Sequence, residues 1–197
     1  MNYLAHAYLS FNQPAILAGN IISDFIKGKK QFDYPDDIRQ GIILHRAIDT
    51  FTDEHAATRE AKKIFMPHYR LYSGPFTDLA FDYFLANDNR QFTESSLYSF
   101  SQETYSILDK YLAVFPSSFV QVYPHMKKYN WLFNYRFPEG IEKSFAGIAR
   151  RAKYITESET AFALFKENYK TLQQCYDDLF PALKQFTFET LNSFQFK

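Results

Sequence analysis

The sequence predicts an all-α protein, and three observations carry that expectation. Only six glycines occur in 197 residues, too few for the tight turns that many short strands require. Apolar residues recur near every 3.6 positions along most of the chain. Prolines fall where helices would begin or stop, at Pro14, Pro35, Pro75 and Pro116.

Taken in order, a first helix covers about residues 2–10. A second opens at Pro14 and runs through "AILAGNIISDFIK" until Gly28 stops it. The third starts near Pro35, where Asp36 and Asp37 complement the positive end of the helix dipole, and carries Leu44, Ile48 and Phe51 on one stripe. A helical segment resumes after "TDEH" and reaches about Phe65. "SGPFTDLAFDYFLAND" is entered through Pro75, and "TESSLYSFSQETYSILDKYLAVF" is ended by Pro116. "SFVQVYPHMKKYNWLFNY" follows with Pro124 as a point of kinking, and then "PEGIEKSFAGIARRAKYI". Thr156 and Glu159 have the spacing of a capping box and open the last long helix. The tail "FTFETLNSFQF" alternates briefly like a strand but has no partner, so frayed helix or coil is expected there.

Composition narrows the class. Hydrophobic residues at 46% and charged residues at 22% describe a globular chain. With no repeats and no long linker, one domain over residues 1–197 is expected. Lys+Arg and Asp+Glu both total 22, which argues against a general nucleic-acid binder. Cys175 is the only cysteine, so neither an intrachain disulfide nor a multi-cysteine metal site can form. The start "MNYLAHAYLSF" lacks the features of a secretory signal, and no apolar run approaches the length of a membrane span, so a soluble, cytoplasmic protein is expected. Twenty-two Phe and fifteen Tyr point to a core built from large rings.

The chemistry concentrates in "GIILHRAIDTFTDEH", residues 41–55. His45 and Asp49 stand four apart, as do Asp49 and Asp53, and Asp78 and Asp82 repeat the spacing in "TDLAFDYF". Residues four apart on a helix are neighbours. Asp24 lies in the apolar run "NIISDFI" and His6 in "YLAHAYL". Carboxylates gathered near a core repel one another unless a cation intervenes, and mixed imidazole and carboxylate ligands suit Mn, Fe, Zn or Ni better than Ca. Such an ion lowers the pKa of coordinated water toward neutrality. Arg46, beside His45, has a planar fork suited to phosphate at the edge of the site. Together these describe hydrolysis of a phosphate ester better than of a peptide. Each residue also has an ordinary reading: Asp24 as a helix-end or ion-pair residue, His6 as a hydrogen-bonded core histidine, His45/Asp49 as an intrahelical pair. Asp53 reads as a helix cap and His55 as a turn residue, while His68 and His125 are given no role.

These blocks, with "MNYLAHAYLS", "LAGNIISDFIKG", "DLAFDYFLAND" and "NWLFNYRFPEGIEKSFAGIARRAKY", resemble the acyl carrier protein phosphodiesterases, divergent relatives of the HD-type metal-dependent phosphohydrolases. The resemblance runs nearly end to end. It implies an all-α, single-domain multi-helix bundle resembling an HD-type fold. It implies a hydrolase, preferring Mn²⁺ with Mg²⁺ or Fe²⁺ as other options, that cuts the phosphodiester joining a carrier serine to 4′-phosphopantetheine. It assigns metal binding to Asp24, His45, Asp78 and Asp82, and a ligand or base role to Asp49, with Arg46 and His6 as further catalytic candidates. One departure stands out: the family's second aspartate is usually followed by histidine, and here Tyr83 follows Asp82. Other readings remain at this point: a phosphohydrolase of nucleotides or other small esters, and a helical carrier-protein binder without activity.

An acidic carrier protein would seek a basic face. Residues 125–153 hold Lys127, Lys128, Arg136, Lys143, Arg150, Arg151 and Lys153 against Glu139 and Glu142, seven positive charges less two, or plus five. A solvated helical face would read the same way. Neither nucleic acid nor membrane is expected as a partner.

Overall fold

In the computed structural model, which describes residues 1–194, all regular structure is helical, with no strand among the described residues. The order is α1 (Tyr3–Tyr8), α2 (Pro14–Ile22), α3 (Asp36–Glu54), α4 (Ala56–Tyr69), α5 (Ser73–Asn87), α6 (Glu94–Asp109), α7 (Ser117–Lys128), α8 (Trp131–Asn134), α9 (Pro138–Arg151), α10 (Glu159–Glu167) and α11 (Tyr169–Phe194). Short 3₁₀ turns at Ser23–Phe25 and Gly28–Asp33 join α2 to α3.

The pairing of α2 with α3 sets the position of the site. A Cβ built on Gly19 would lie 2.0 Å from the Ile38 carbonyl oxygen, and one on Gly41 would lie 2.3 Å from that of Ile16. Only glycine at both positions lets the two backbones come this close. The other faces of these helices carry Ile21, Ile22, Ile42, Leu44 and Ile48 into a core shared with Phe65, Phe76 and Phe81. The aromatic content serves that core: Phe76, Phe65, Phe145 and Phe165 form a run of stacked and edge-to-face rings.

Several boundaries differ from expectation. The helix begun at Pro14 stops at Ile22, and Asp24 lies in the 3₁₀ turn that follows, not inside an apolar helix. The tighter turn carries its side chain outward, where it is 67% exposed, and within reach of α3. Pro116 does not end α6 directly; α6 stops at Asp109, and Pro116 is the N-cap residue of α7. Pro124 sits inside α7, and the next break comes at Asn130, left-handed at φ 40°, whose side chain caps α8. The last long helix divides at Asn168, and Thr156 caps neither part. There Glu159 accepts from the Ser158 amide and Glu157 from the Thr160 amide.

The tail that alternates in sequence is regular helix to Phe194, and residues 195–197 lie outside the described residues. Leu183, Thr187 and Leu191 repeat at helical spacing on the buried side, and Phe186 stacks on Phe51 of α3 with ring centroids 4.6 Å apart. Tertiary burial outweighs a short alternation that has no strand to pair with. Among the described residues, no helix is long and apolar enough to cross a membrane.

Candidate metal centre

His6 on α1 and His45 on α3 stack face to face, with ring centroids 3.9 Å apart and planes inclined by 14°. Both are buried, and Asn20 of α2, fully buried, orients both. The Asn20 Nδ2 group donates to the His6 carbonyl (2.9 Å) and to Ser10 Oγ (3.1 Å). That fixes the amide's orientation, since a reversed amide would set its oxygen against the His6 carbonyl oxygen. Asn20 Oδ1 therefore accepts from His6 Nδ1 at 2.8 Å, while the Asn20 backbone carbonyl accepts from His45 Nδ1 at 2.7 Å. Each ring carries a proton on Nδ1, and each neutral ring turns the bare lone pair of Nε2 to the same side.

Carboxylates meet those lone pairs. Asp49, one turn beyond His45 on α3, places Oδ2 3.0 Å from His45 Nε2 and Oδ1 3.2 Å from His6 Nε2. Asp24 Oδ1 lies 3.1 Å from His45 Nε2. Every atom turned inward is an acceptor, which is unfavourable unless a proton or a cation sits among them. One proton answers part of this. Burial disfavours the charged imidazolium of His45, but its bonds to Asp24 and Asp49 outweigh that and raise its pKa to about 9. Burial and the neighbouring His45 together hold His6 down to about 4, so His6 stays neutral. Its Nε2 remains a buried atom with no hydrogen bond. Burial pulls the Asp49 carboxyl upward, yet the bond from the protonated His45 prevails and it lies well below the usual carboxylate range.

The unsatisfied Nε2 and the donor chemistry answer whether a metal ion fits. His6, His45 and Asp49 offer ligand atoms all within 4.8 Å of one another, and two imidazoles with carboxylate suit a borderline divalent cation. Asn20 supplies the outer hydrogen bonds that orient such ligands.

The remaining candidates stand elsewhere. Asp78 Oδ1 accepts from the Met1 amine at 2.9 Å, and that amine lies 4.0 Å from Asp49 Oδ1, so Asp78 adjoins the cluster across an intervening cation. Asp82 is fully buried and accepts from the backbone amides of Asn2 (3.1 Å), Leu4 (2.7 Å) and Ala5 (3.3 Å) at the start of α1. Burial pushes its pKa up to about 7 against the pull of the amine and those amides. Asp82 therefore anchors the helix that carries His6. Arg46 donates to Gln31 Oε1 (2.9 Å) and to the Ile26 carbonyl (3.2 Å), tying down the 3₁₀ segment beyond Asp24. Both partners are neutral, so its charge is not cancelled by them.

Tyr83 turns away from the cluster. Its ring meets Phe84, Phe165 and Tyr169 edge to face. Asp53 pairs with Lys62 at 2.7 Å, and the cap of α4 is His55, whose Nδ1 accepts from the Ala57 amide. The residue that sequence reasoning missed is Asn20. Its signal was present: one amide interrupting the apolar run "AILAGNII".

The fold and this cluster define a class: an all-helical protein whose core helices present two parallel imidazoles and a shared carboxylate as a group able to hold a metal ion. More particularly, the chain belongs to the acyl carrier protein phosphodiesterase family, whose model matches residues 1–183. An acyl carrier protein phosphodiesterase of Yersinia pestis is 29% identical over 184 residues, spanning 93% of this chain and 95% of that protein. One from Enterobacter sp. (strain 638) is 29% identical over the same shares, and one from Photorhabdus laumondii is 27% identical over 186 residues, 94% of each. No solved structure matches the chain.

Proposed function

We propose that this protein hydrolyses the phosphodiester of holo-acyl carrier protein, releasing 4′-phosphopantetheine and the apo carrier, with a divalent metal ion, preferentially Mn²⁺, at the His6/His45/Asp49 cluster. The observation that carries the reading is the convergence of acceptor atoms from α1, α3 and the turn after α2 on one point, within a chain of this family. His6, His45 and Asp49 would hold the ion, with Asp24 at its exposed edge. The bound ion would offset phosphate charge and acidify water toward neutral pH. In the overall reaction the water oxygen joins phosphorus, the bond from phosphorus to the serine oxygen breaks, and the serine oxygen gains a proton.

The chain's own groups divide the remaining work. A proton acceptor works best with a pKa near the operating pH, and Asp49 lies far below it, so we assign it to ligation and not to general base. Asp78 and Asp82 support the cluster, through the amine next to Asp49 and through the start of α1. Arg46 keeps a positive charge beside the site while ordering residues 26–31.

For carrier docking we assign the C-terminal end of α9. Lys127 is paired with Asp109 at 2.6 Å and Arg136 with Glu94 at 3.5 Å, which removes part of the excess charge counted along the sequence. Arg150 and Arg151 close α9, and Tyr3, next to the cluster's helix start, lies within electrostatic reach of both Asp24 and Arg151. A cytoplasmic setting belongs to the same reading. Purified protein with Mn²⁺ should convert holo carrier to apo carrier by mass, and His45→Ala should not. Unchanged carrier mass across several divalent metals would overturn the proposal.

A further inference from the structure

A groove of about 590 Å³ runs outward from Asp78 between α4, the 3₁₀ turn Arg70–Tyr72 and the start of α5. Its inner end adjoins the cluster, because Asp78 and Asp49, both partly exposed, flank the same buried amine at 2.9 and 4.0 Å. Its walls are mixed. Met66, Leu71 and Pro75 provide apolar surface, and Leu71 is 95% exposed, so little among the described residues covers it. Lys62, Arg70 and Ser73 add polar groups along the same length. Arg70 sits at φ 47°, a backbone state that side-chain-bearing residues rarely adopt, and this kink is what carries Leu71 out over the groove.

We infer that this groove receives the pantetheine arm of the carrier's prosthetic group, an inference that rests on the function proposed above. The arm is a narrow, uncharged chain: a dimethyl-substituted carbon near the phosphate, then two amides, then a thiol. With the phosphate at the cluster, such a chain needs an apolar wall with hydrogen-bonding groups interspersed, leading away from Asp49. A folded carrier domain is too broad to enter. The acidic residues at the inner end, Asp53 and Asp78, disfavour a second anionic group there, in keeping with an arm whose only charge is its phosphate.

Gly74 gives a clean way to close the groove. A Cβ there would meet only the Lys62 side chain, at 3.6 and 3.8 Å, ordinary contact distances, so a side chain can be started at this position without a backbone clash at Cβ. Gly74→Trp and the exposed-site change Leu71→Asp should leave the melting temperature and Mn²⁺ affinity at wild-type values. Both should lower kcat/KM on holo carrier, and the affinity for free 4′-phosphopantetheine, by on the order of tenfold. Wild-type turnover and phosphopantetheine binding by both variants would overturn the inference. So would a loss of carrier turnover with phosphopantetheine affinity unchanged, since the groove would then contact the carrier's protein surface. If the wild-type protein binds phosphopantetheine through this groove yet never cleaves holo carrier, the proposed reaction fails and the groove assignment stands.

Discussion

Gly19 of α2 and Gly41 of α3 face each other so closely that a Cβ on Gly41 would lie 2.9 Å from the Gly19 Cα. This crossing holds the Asn20 carbonyl at 2.7 Å from His45 Nδ1 and so determines which nitrogen of His45 faces Asp49. Gly41→Ala must therefore separate the helices. We expect a loss of about 1–3 kcal/mol in stability from overpacking, with weakened Mn²⁺ binding, read by denaturant melts and metal titration. Wild-type values for both would show that the contact does not position the site.

Asn20 orients both imidazoles, so Asn20→Ala should weaken metal affinity about 10–100-fold, as loss of such outer hydrogen bonds typically does. Equilibrium dialysis with Mn²⁺ measures this directly. Undiminished affinity would mean that packing alone holds the rings.

How the site was and was not legible in sequence follows from these contacts. The His45–Asp49 pair could be read from its spacing because both residues lie on one helix. Asp78 and Asp82 have the same spacing but meet the chain start and the α1 backbone, because spacing says nothing about what lies opposite a helix. The contacts of His6 are not legible in its own segment, since its partners come from α2 and α3, far along the chain. The helical class was evident from periodicity and proline placement. The 3₁₀ turn at Asp24 was not, because the run "NIISDFI" contains no glycine or proline to mark it.

The pH dependence has a definite sign. Without metal, His45 holds its Nε2 proton up to about pH 9, so its pairing with Asp49 and Asp24 stabilises the fold fully below its ordinary value of 6.5 and is lost as pH rises through about 9. Asp49, held below its ordinary 3.8, contributes above that value and loses its contribution as pH falls further. A metal ion must displace the His45 proton. Apparent Mn²⁺ affinity should thus climb from pH 6 toward about 9, with proton release at pH 7 seen by calorimetry in buffers of different ionisation enthalpy. Binding without proton release would contradict this.

Tyr83 sits in the aromatic packing beside α10 and α11, not at the cluster. Tyr83→His should leave metal affinity and carrier turnover unchanged and lower stability by about 1–3 kcal/mol through lost ring contacts. A gain in turnover would place this position in the reaction after all.

The most direct measurement is Mn²⁺ binding followed by electron paramagnetic resonance in the wild-type protein, His45→Ala and Asp49→Asn. A tightly bound ion in the wild type, released in both variants while their helical circular dichroism persists, is the predicted result. An ion bound equally in all three, or in none, would contradict the centre described above.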